Sequence, residues 1–309
     1  MALTLVEAAK KHSGDVVKSA VIETFARSTD VLQFLPFEEI QGSAMKYNRE
    51  ETLPGVGFRG VNSGYTESTG ILNPITEPLL IVGGDLDVDK FIVDTMGMDQ
   101  RSTQETMKIK AIALRWTKEF IKGDSQTNNA VFDGLQARIT GNQLIAAGSS
   151  AAGDALSLLK LDEIIDAVSN PNFLLMNKTL RRLLTAAART TSVGGNITWE
   201  IDAFGKQIAK YNDLPILIAD EDNEGNQILP FTEVASTGST AASTSIYCGN
   251  MSEGMLCGIQ NGTIDVRDLG ELEEKSVYRT RVEWYNGISV YHGRAAARLY
   301  GIKNATVTA

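Results

Sequence analysis

The clearest pattern of apolar and polar positions runs from residue 99 to 122, DQRSTQETMKIKAIALRWTKEFIK. Ile109, Ala113, Trp116 and Phe120 recur at helical spacing and form one apolar stripe. Arg115, Lys118 and Lys122 share another face. The spacing predicts a single helix of roughly 36 Å, with Gly123 where a C-terminal cap is expected. Upstream, LLIVGGDLDVDKFIVD changes to a period of two. Asp85, Asp87 and Asp89 fall on one face and Leu86 and Val88 on the other, which predicts a strand. At the start, Leu3, Leu5, Ala8 and Ala9 suit a short amphipathic helix, and Val17, Ala20, Val21 and Phe25 also recur at helical spacing. Residues 1–35 therefore read as a helix or arm.

Between arm and strand lies PFEEIQGSAMKYNREETLPGVGFRGVNSGYTESTGILNPITEP, rich in Gly, Asn, Ser and Thr. A loop of this length rarely occurs in a packed domain without a task. Met45 and Tyr47 alternate with Lys46 and Asn48, and Val56 and Phe58 with Gly57 and Arg59, so an extended hairpin is expected. Between Gly42 and Ile75 the charges of Lys46, Arg49 and Arg59 cancel those of Glu50, Glu51 and Glu67. The apolar residues are too few for a core of its own, so the hairpin gains order by lying on something else.

From 124 to 155 the composition shifts to Gly, Ser, Asn and Ala, marking a boundary. Beyond it helices and strands alternate as in a mixed α/β domain: LSLLKLDEIIDAV and KTLRRLLTAAART as helices, NFLLMN and LPILIAD as strands. DEDNEGN reads as a turn, STGSTAASTS as a polar loop, and SIYCGN, GMLCGI and TIDVRDL as short strands. The end is β-rich around Asn286-Gly287, a strong hairpin signal. No internal repeat is present.

Composition narrows the function. The net charge of −9 opposes a protein whose main task is gripping nucleic acid, which needs a basic surface. Cys248 and Cys257 make no CxxC and fit a reducing compartment; Cys248 is expected to be a small buried hydrophobe. His12 and His292 leave little for a zinc site, and His292 is expected to pack within a strand. No apolar run approaches the length of a membrane helix, and the start shows no signal peptide. No Walker A, G-x-S-x-G or H-E-x-x-H motif occurs.

GVGFRG, Gly55 to Gly60, has the dinucleotide-binding spacing but fails its context. Pro54 precedes it, no helix pattern follows, and Glu77 stands before Pro78 rather than at a strand end. Its glycines read as freedom for a hairpin to flatten and turn. DEDNEG, Asp220 to Gly225, begins like a calcium loop but has Phe231 at the twelfth position, so a solvated acidic turn is expected. The basic positions Lys178, Arg181, Arg182 and Arg189 read as a solvated face or a partner contact. No catalytic, cofactor or metal residue is assigned.

The order of the parts carries a resemblance. ETFARSTDVLQFLPFEEI, YNREETLPGVGFRGVNSGYTESTG, FIKGDSQTNNAVFDGL, FLLMNKTLRRLL, FGKQIAKYNDLPILIAD and RVEWYNGISVYHGRAAARLYGI together resemble the major capsid proteins of tailed bacteriophages with the Hong Kong 97-type fold. The similarity spans nearly the whole chain; each segment alone is loose. The fold it implies is α+β: an N-terminal arm at 1–35 and an extended hairpin, the E-loop, at 36–84. A peripheral domain would hold 85–139 and 277–309 with its spine helix at 99–122, and an axial domain 140–276.

The implied function is structural, not enzymatic. Copies form hexamers and pentamers that close an icosahedral head around double-stranded DNA, which the wall touches weakly. An encapsulin-type compartment and, less so, a nucleotide-dependent enzyme are the alternatives. The expected partners are other copies of the chain, a portal, a scaffolding protein and a decoration protein, in a virion assembled in the host bacterial cytoplasm, with no membrane. Some relatives carry a scaffolding segment before the arm. Nothing before Thr24 leaves room for one, so the scaffold is expected to be separate, and Met1 argues against prior cleavage. Some relatives cross-link a lysine to an asparagine, but Lys46 and Asn304 match no motif for it. The inter-subunit contact candidates are Lys46, Arg49, Glu50, Glu51, Phe58, Arg59, Tyr65 and Glu67 of the hairpin.

Overall fold

The computed structural model describes residues 3–4, 29–96, 99–189, 197–201 and 207–308. The helical positions expected at Leu5, Ala8, Ala9, Val17, Ala20, Val21 and Phe25 lie outside them. Leu3–Thr4 is a strand, β1, rather than part of a helix. Asp30–Phe34 forms a short helix, α1, that buries Val31 and Leu32. Pro36–Glu39 is β2, Ala44–Thr52 is β3, Ile71–Pro78 is β4 and Leu80–Asp89 is β5. Lys90–Met96 is α2, and Asp99–Lys122 is the long helix α3, with the limits its pattern predicts.

The second half holds α4 at Leu135–Arg138, β6 at Leu144–Ala146, α5 at Leu158–Ala167, β7 at Phe173–Met176 and α6 at Lys178–Ala188. Strands β8 at Ile197–Ile201, β9 at Gln207–Tyr211, β10 at Leu214–Ile218, β11 at Glu233–Val234 and β12 at Ala241–Gly249 follow. The chain closes with β13 at Leu256–Gln260, β14 at Asp265–Glu271, β15 at Val277–Val290 and β16 at Ala296–Lys303. No described helix is long and apolar enough to cross a membrane.

Among the described residues three sheets result. One joins β1, β2, β13, β15 and β14, with β5 also on β15; a second runs β6-β16-β12-β7-β10-β9-β8, with β11 on β12; the third is the hairpin β3–β4 alone. Strand β15 organises the first sheet. One edge pairs with β5 from Val277 to Asn286, and the other pairs with β14 and then β13. Asn286-Gly287 therefore lies inside a continuous strand and makes no turn, contrary to its hairpin signal. Asn286 opposes Gln260 and Leu80. Gly287 is required by space: a Cβ there would lie 2.9 Å from the Pro78 carbonyl oxygen.

Two cores flank the second sheet. Phe173 and Leu175 of β7 face Trp116, Phe120, Trp284 and Phe37, whereas Leu174 and Met176 face Leu161, Ile164, Leu180 and Leu184 of α5 and α6. Burial on both faces explains why FLLM is continuously apolar. Helix α3 lies across the first sheet, with its predicted stripe Ile109, Ala113, Trp116 and Phe120 buried. Asn177 caps α6, accepting from the Leu180 amide at 2.7 Å.

Several expectations change. Sheet membership divides the chain differently from the expected segments: β13 and β14 join the first sheet and β16 the second. The paired hairpin spans Ala44 to Pro78 rather than 36–84, because β2 and β5 pair within the first sheet. Val56 and Phe58 lie outside any strand; the second arm of the hairpin is β4. The polar stretch reaching Ser243, Thr244 and Ser245 is a buried part of β12, its hydroxyls bonded to Glu233 and Leu229. His292 is exposed in the turn between β15 and β16, its Nδ1 accepting from the Arg294 amide. Cys248 and Cys257 are both buried and free, and burial pushes their thiols up to about 12 and about 11. Asp222 of the acidic turn is not solvated but buried, 2.7 Å from Lys118 Nζ.

Candidate inter-subunit hairpin

The hairpin is built from strand-forming residues whose two strands, β3 and β4, pair only with each other. Strands β3 and β4 pair antiparallel from Ala44↔Pro78 to Thr52↔Ile71, with an irregularity between Glu50 and Thr52. A lone two-stranded ribbon is marginally stable in water, so its root and tip matter most.

At the tip the apolar side chains have no cover. Val56 is 97% and Val61 95% exposed, Phe58 is fully exposed, and Leu53 and Tyr65 are also open. The tip keeps a shape through local bonds. Ser68 Oγ donates to the Gly55 carbonyl at 2.9 Å, Ser63 Oγ donates to the Gly60 carbonyl at 2.9 Å, and Asn62 takes a positive φ of 66°. An open cleft of about 260 Å³ lies between the segments, lined by Gly55, Val56, Phe58, Gly64 and Tyr65. GVGFRG thus lies on an exposed loop with no strand directly before it and no helix after it, and cannot cradle a phosphate in the expected way.

The predicted contact residues fall in two groups. Lys46 and Glu50 are exposed on β3 and Arg49 is half-buried there, opposite Asn73. Glu51 falls at the irregularity. Phe58, Arg59 and Tyr65 come together at the tip. The Arg59 guanidinium sits 5.3 Å over the Tyr65 ring and donates to the Ser63 carbonyl at 3.2 Å. Glu67 is exposed beyond the strands and apart from the β3 charges.

At the root, the structure assembles a cluster that the sequence reading missed. Glu77 is 6% exposed, and its two oxygens accept from Arg138 Nη1 and Nη2 at 2.5 and 2.7 Å. Tyr47 Oη donates to the Val290 carbonyl at 2.9 Å, and its ring lies 4.6 Å from that of Tyr291. Burial, then the nearby Glu77 carboxylate, push the Tyr47 phenol up to about 12. Tyr291 donates to Glu38 at 2.6 Å; burial and this acceptor raise its phenol too. One signal was present: Glu77 is an acid inside the alternating run ILNPITEP. Its partner lies 61 residues away, beyond the reach of any local pattern.

The Phe-Asp-Gly-Leu segment, 132–135, puts Arg138 there. Gly123 and Gly134 permit close approach rather than a left-handed cap. A Cβ on Gly123 would lie 2.2 Å from the Phe132 carbonyl oxygen, and one on Gly134 2.5 Å from that of Glu119. The Gly134 amide donates to the Gly123 carbonyl at 2.9 Å, and Arg138 Nε to the Asp133 carbonyl at 2.6 Å. Several other charges pair within the chain. Asp85 and Asp87 of β5 hold Arg281 and Arg279 of β15 in two-bond pairs, and these hydrogen bonds lower both carboxyls. Lys178 pairs with Asp220, so the basic face of α6 is partly engaged inside the chain. Among the described residues no cluster of metal-ligating side chains occurs.

Residues 12–161 match the family described as major capsid protein GP7. A search of curated proteins finds no match. Among solved structures, the chain is similar to the holo-SrpI encapsulin complex of Synechococcus elongatus PCC 7942. The TM-score is 0.67 and the identity 18%, covering 90% of this chain and 89% of that one. The capsid of an empty GTA particle aligns with a TM-score of 0.60 and 16% identity, over 89% of this chain and 90% of that one. A structure from Mycobacterium phage Bobi aligns with a TM-score of 0.61 and 14% identity, over 90% and 91%.

Proposed function

We propose that this chain is a phage-type major capsid protein with the Hong Kong 97-type shell fold, and that copies of it form hexamers and pentamers that close an icosahedral head around double-stranded DNA. The family and fold are structural rather than enzymatic, which counts against the alternative of a nucleotide-dependent enzyme. The protein is a shell component that assembles with itself.

The observation that carries the finer reading is the hairpin tip. Three side chains at least 95% exposed, Val56, Phe58 and Val61, project from a ribbon with no core of its own. An apolar cluster rimmed by charge marks a protein contact. In the proposal the tip settles on a neighbouring copy, while Lys46, Arg49, Glu50, Arg59 and Glu67 set register more than strength. The first sheet with α3 is assigned as the peripheral domain and the second as the axial domain that meets its copies at the capsomer centre. The net charge of −9 suits a wall that does not grip the DNA driven past it. A separate scaffold, a portal, a decoration protein and assembly in the host cytoplasm complete the proposal.

Negative-stain microscopy of the purified chain, alone and with scaffold and portal supplied, tests it. Shells or capsomers are expected; a chain that stays monomeric under every condition overturns it. The likeness to an encapsulin complex favours a second reading, a compartment loaded with protein. Nuclease-protected DNA within particles made in infected cells separates the two.

A further inference from the structure

We propose that the Glu77–Arg138 pair, with Tyr47 beside it, is a positioning clasp that fixes the angle at which the hairpin leaves the body. The proposal rests on the capsid reading, in which that angle decides where the tip meets the next copy. Strands β3 and β4 form a sheet of their own, and Leu79 alone separates β4 from β5. Backbone pairing therefore leaves the hairpin free to pivot, and side chains must set its direction.

The lever is long. Nine residues of β3 reach about 30 Å. A swing of about 10° at the root thus moves the tip about 5 Å, enough to lose its contact.

The geometry of the pair suits positioning. Both Glu77 oxygens are engaged, and the Arg138 guanidinium spends its third nitrogen on the Asp133 carbonyl, so its plane is fixed relative to the body. Asp133 is itself held: its Oδ1 accepts from the Ser125 amide at 2.8 Å. A rigid path therefore runs from the end of α3, through the Gly123–Gly134 contact, to the hairpin root. A buried ion pair adds little net stability but selects one arrangement, because any other leaves a desolvated charge unpaired. The other groups facing the pair agree with this reading: Tyr47 Oη lies 3.4 Å from Glu77 Oε1 and is anchored to the Val290 carbonyl.

The clasp is tested by electron-spin distance measurement between Gly57→Cys at the tip and Leu159→Cys on α5. Labelled chain is diluted with unlabelled chain. A Cβ at Gly57 meets nothing within 4 Å, Leu159 is 73% exposed, and the native cysteines are buried. A narrow distance distribution is expected without further change. Glu77→Gln should broaden it by about 5 Å or more at unchanged helix content, the tip displacement expected of a ~30 Å lever. Arg138→Lys keeps the charge, loses the two-bond fork, and should broaden it less; it also serves as the readout if Glu77→Gln does not fold. Distributions as narrow as the unchanged chain in both folded variants overturn the clasp. The distances are read without shells, so failure of the capsid reading, seen as no particles from the unchanged chain, is distinct from failure of the clasp.

Discussion

The indole N–H of Trp116 in α3 donates to the side-chain oxygen of Asn286 in β15, 170 residues on, at 2.9 Å. Both residues are 1% exposed. Trp116 also lies within 6.1 Å, ring centre to ring centre, of Phe37, Phe120, Phe132 and Trp284. The bond joins the long helix to the strand that organises the first sheet, in the middle of an aromatic cluster.

Trp116→Ala should therefore destabilise the unassembled chain by about 3–5 kcal/mol through the cavity it leaves. Asn286→Ala should cost less, about 1–3 kcal/mol, because it leaves a buried indole N–H without a partner. Urea unfolding measures both; equal and negligible losses would contradict the packing described.

Gly123→Ala should destabilise by about 1–3 kcal/mol, since the added methyl meets two carbonyl oxygens at 2.2 and 2.5 Å. Gly57→Ala, with open space around it, should leave the melting temperature unchanged. The contrast between these variants checks that Gly123 serves close approach.

Asp222 makes stability depend on acid. Burial alone would raise its carboxyl, but Lys118 and the amides of Asn226 and Glu224 hold it down to about 2. A carboxyl lowered on folding adds stability that is fully present above its unfolded value, near 3.8, and is lost as pH falls through about 2. Asp222→Asn should thus be less stable than the unchanged chain at neutral pH. The gap should close between about pH 4 and pH 2, as read by thermal melts across that range.

Phe58→Ser and Arg59→Glu should abolish or impair particle formation while far-ultraviolet circular dichroism stays unchanged. Phe58 contributes nothing to the folded core, and the stacking of Arg59 on Tyr65 at an exposed site is worth only about 0.5–1 kcal/mol. Sedimentation separates shells from free chain. Normal shells from both variants would count against the tip as the contact surface.

The sequence by itself determined the elements whose evidence is local. The stripe from Ile109 to Phe120 defines α3 because helical periodicity depends only on which face is apolar. The aspartates at 85, 87 and 89 define β5 for the same reason at period two. The coreless hairpin was legible too, since a deficit of apolar residues needs no partner to be noticed. Tertiary structure alone decided what depends on residues distant in the chain. Asn286-Gly287 carries the local signal of a turn, yet Trp116 holds the asparagine and Pro78 crowds the glycine, so a straight strand wins. Ser243, Thr244 and Ser245 read as loop until Glu233 and Leu229 accept their hydroxyls. The Glu77–Arg138 clasp has no local signature, because an ion pair between distant residues exists only after the helix, the glycine contact and the hairpin root have come together.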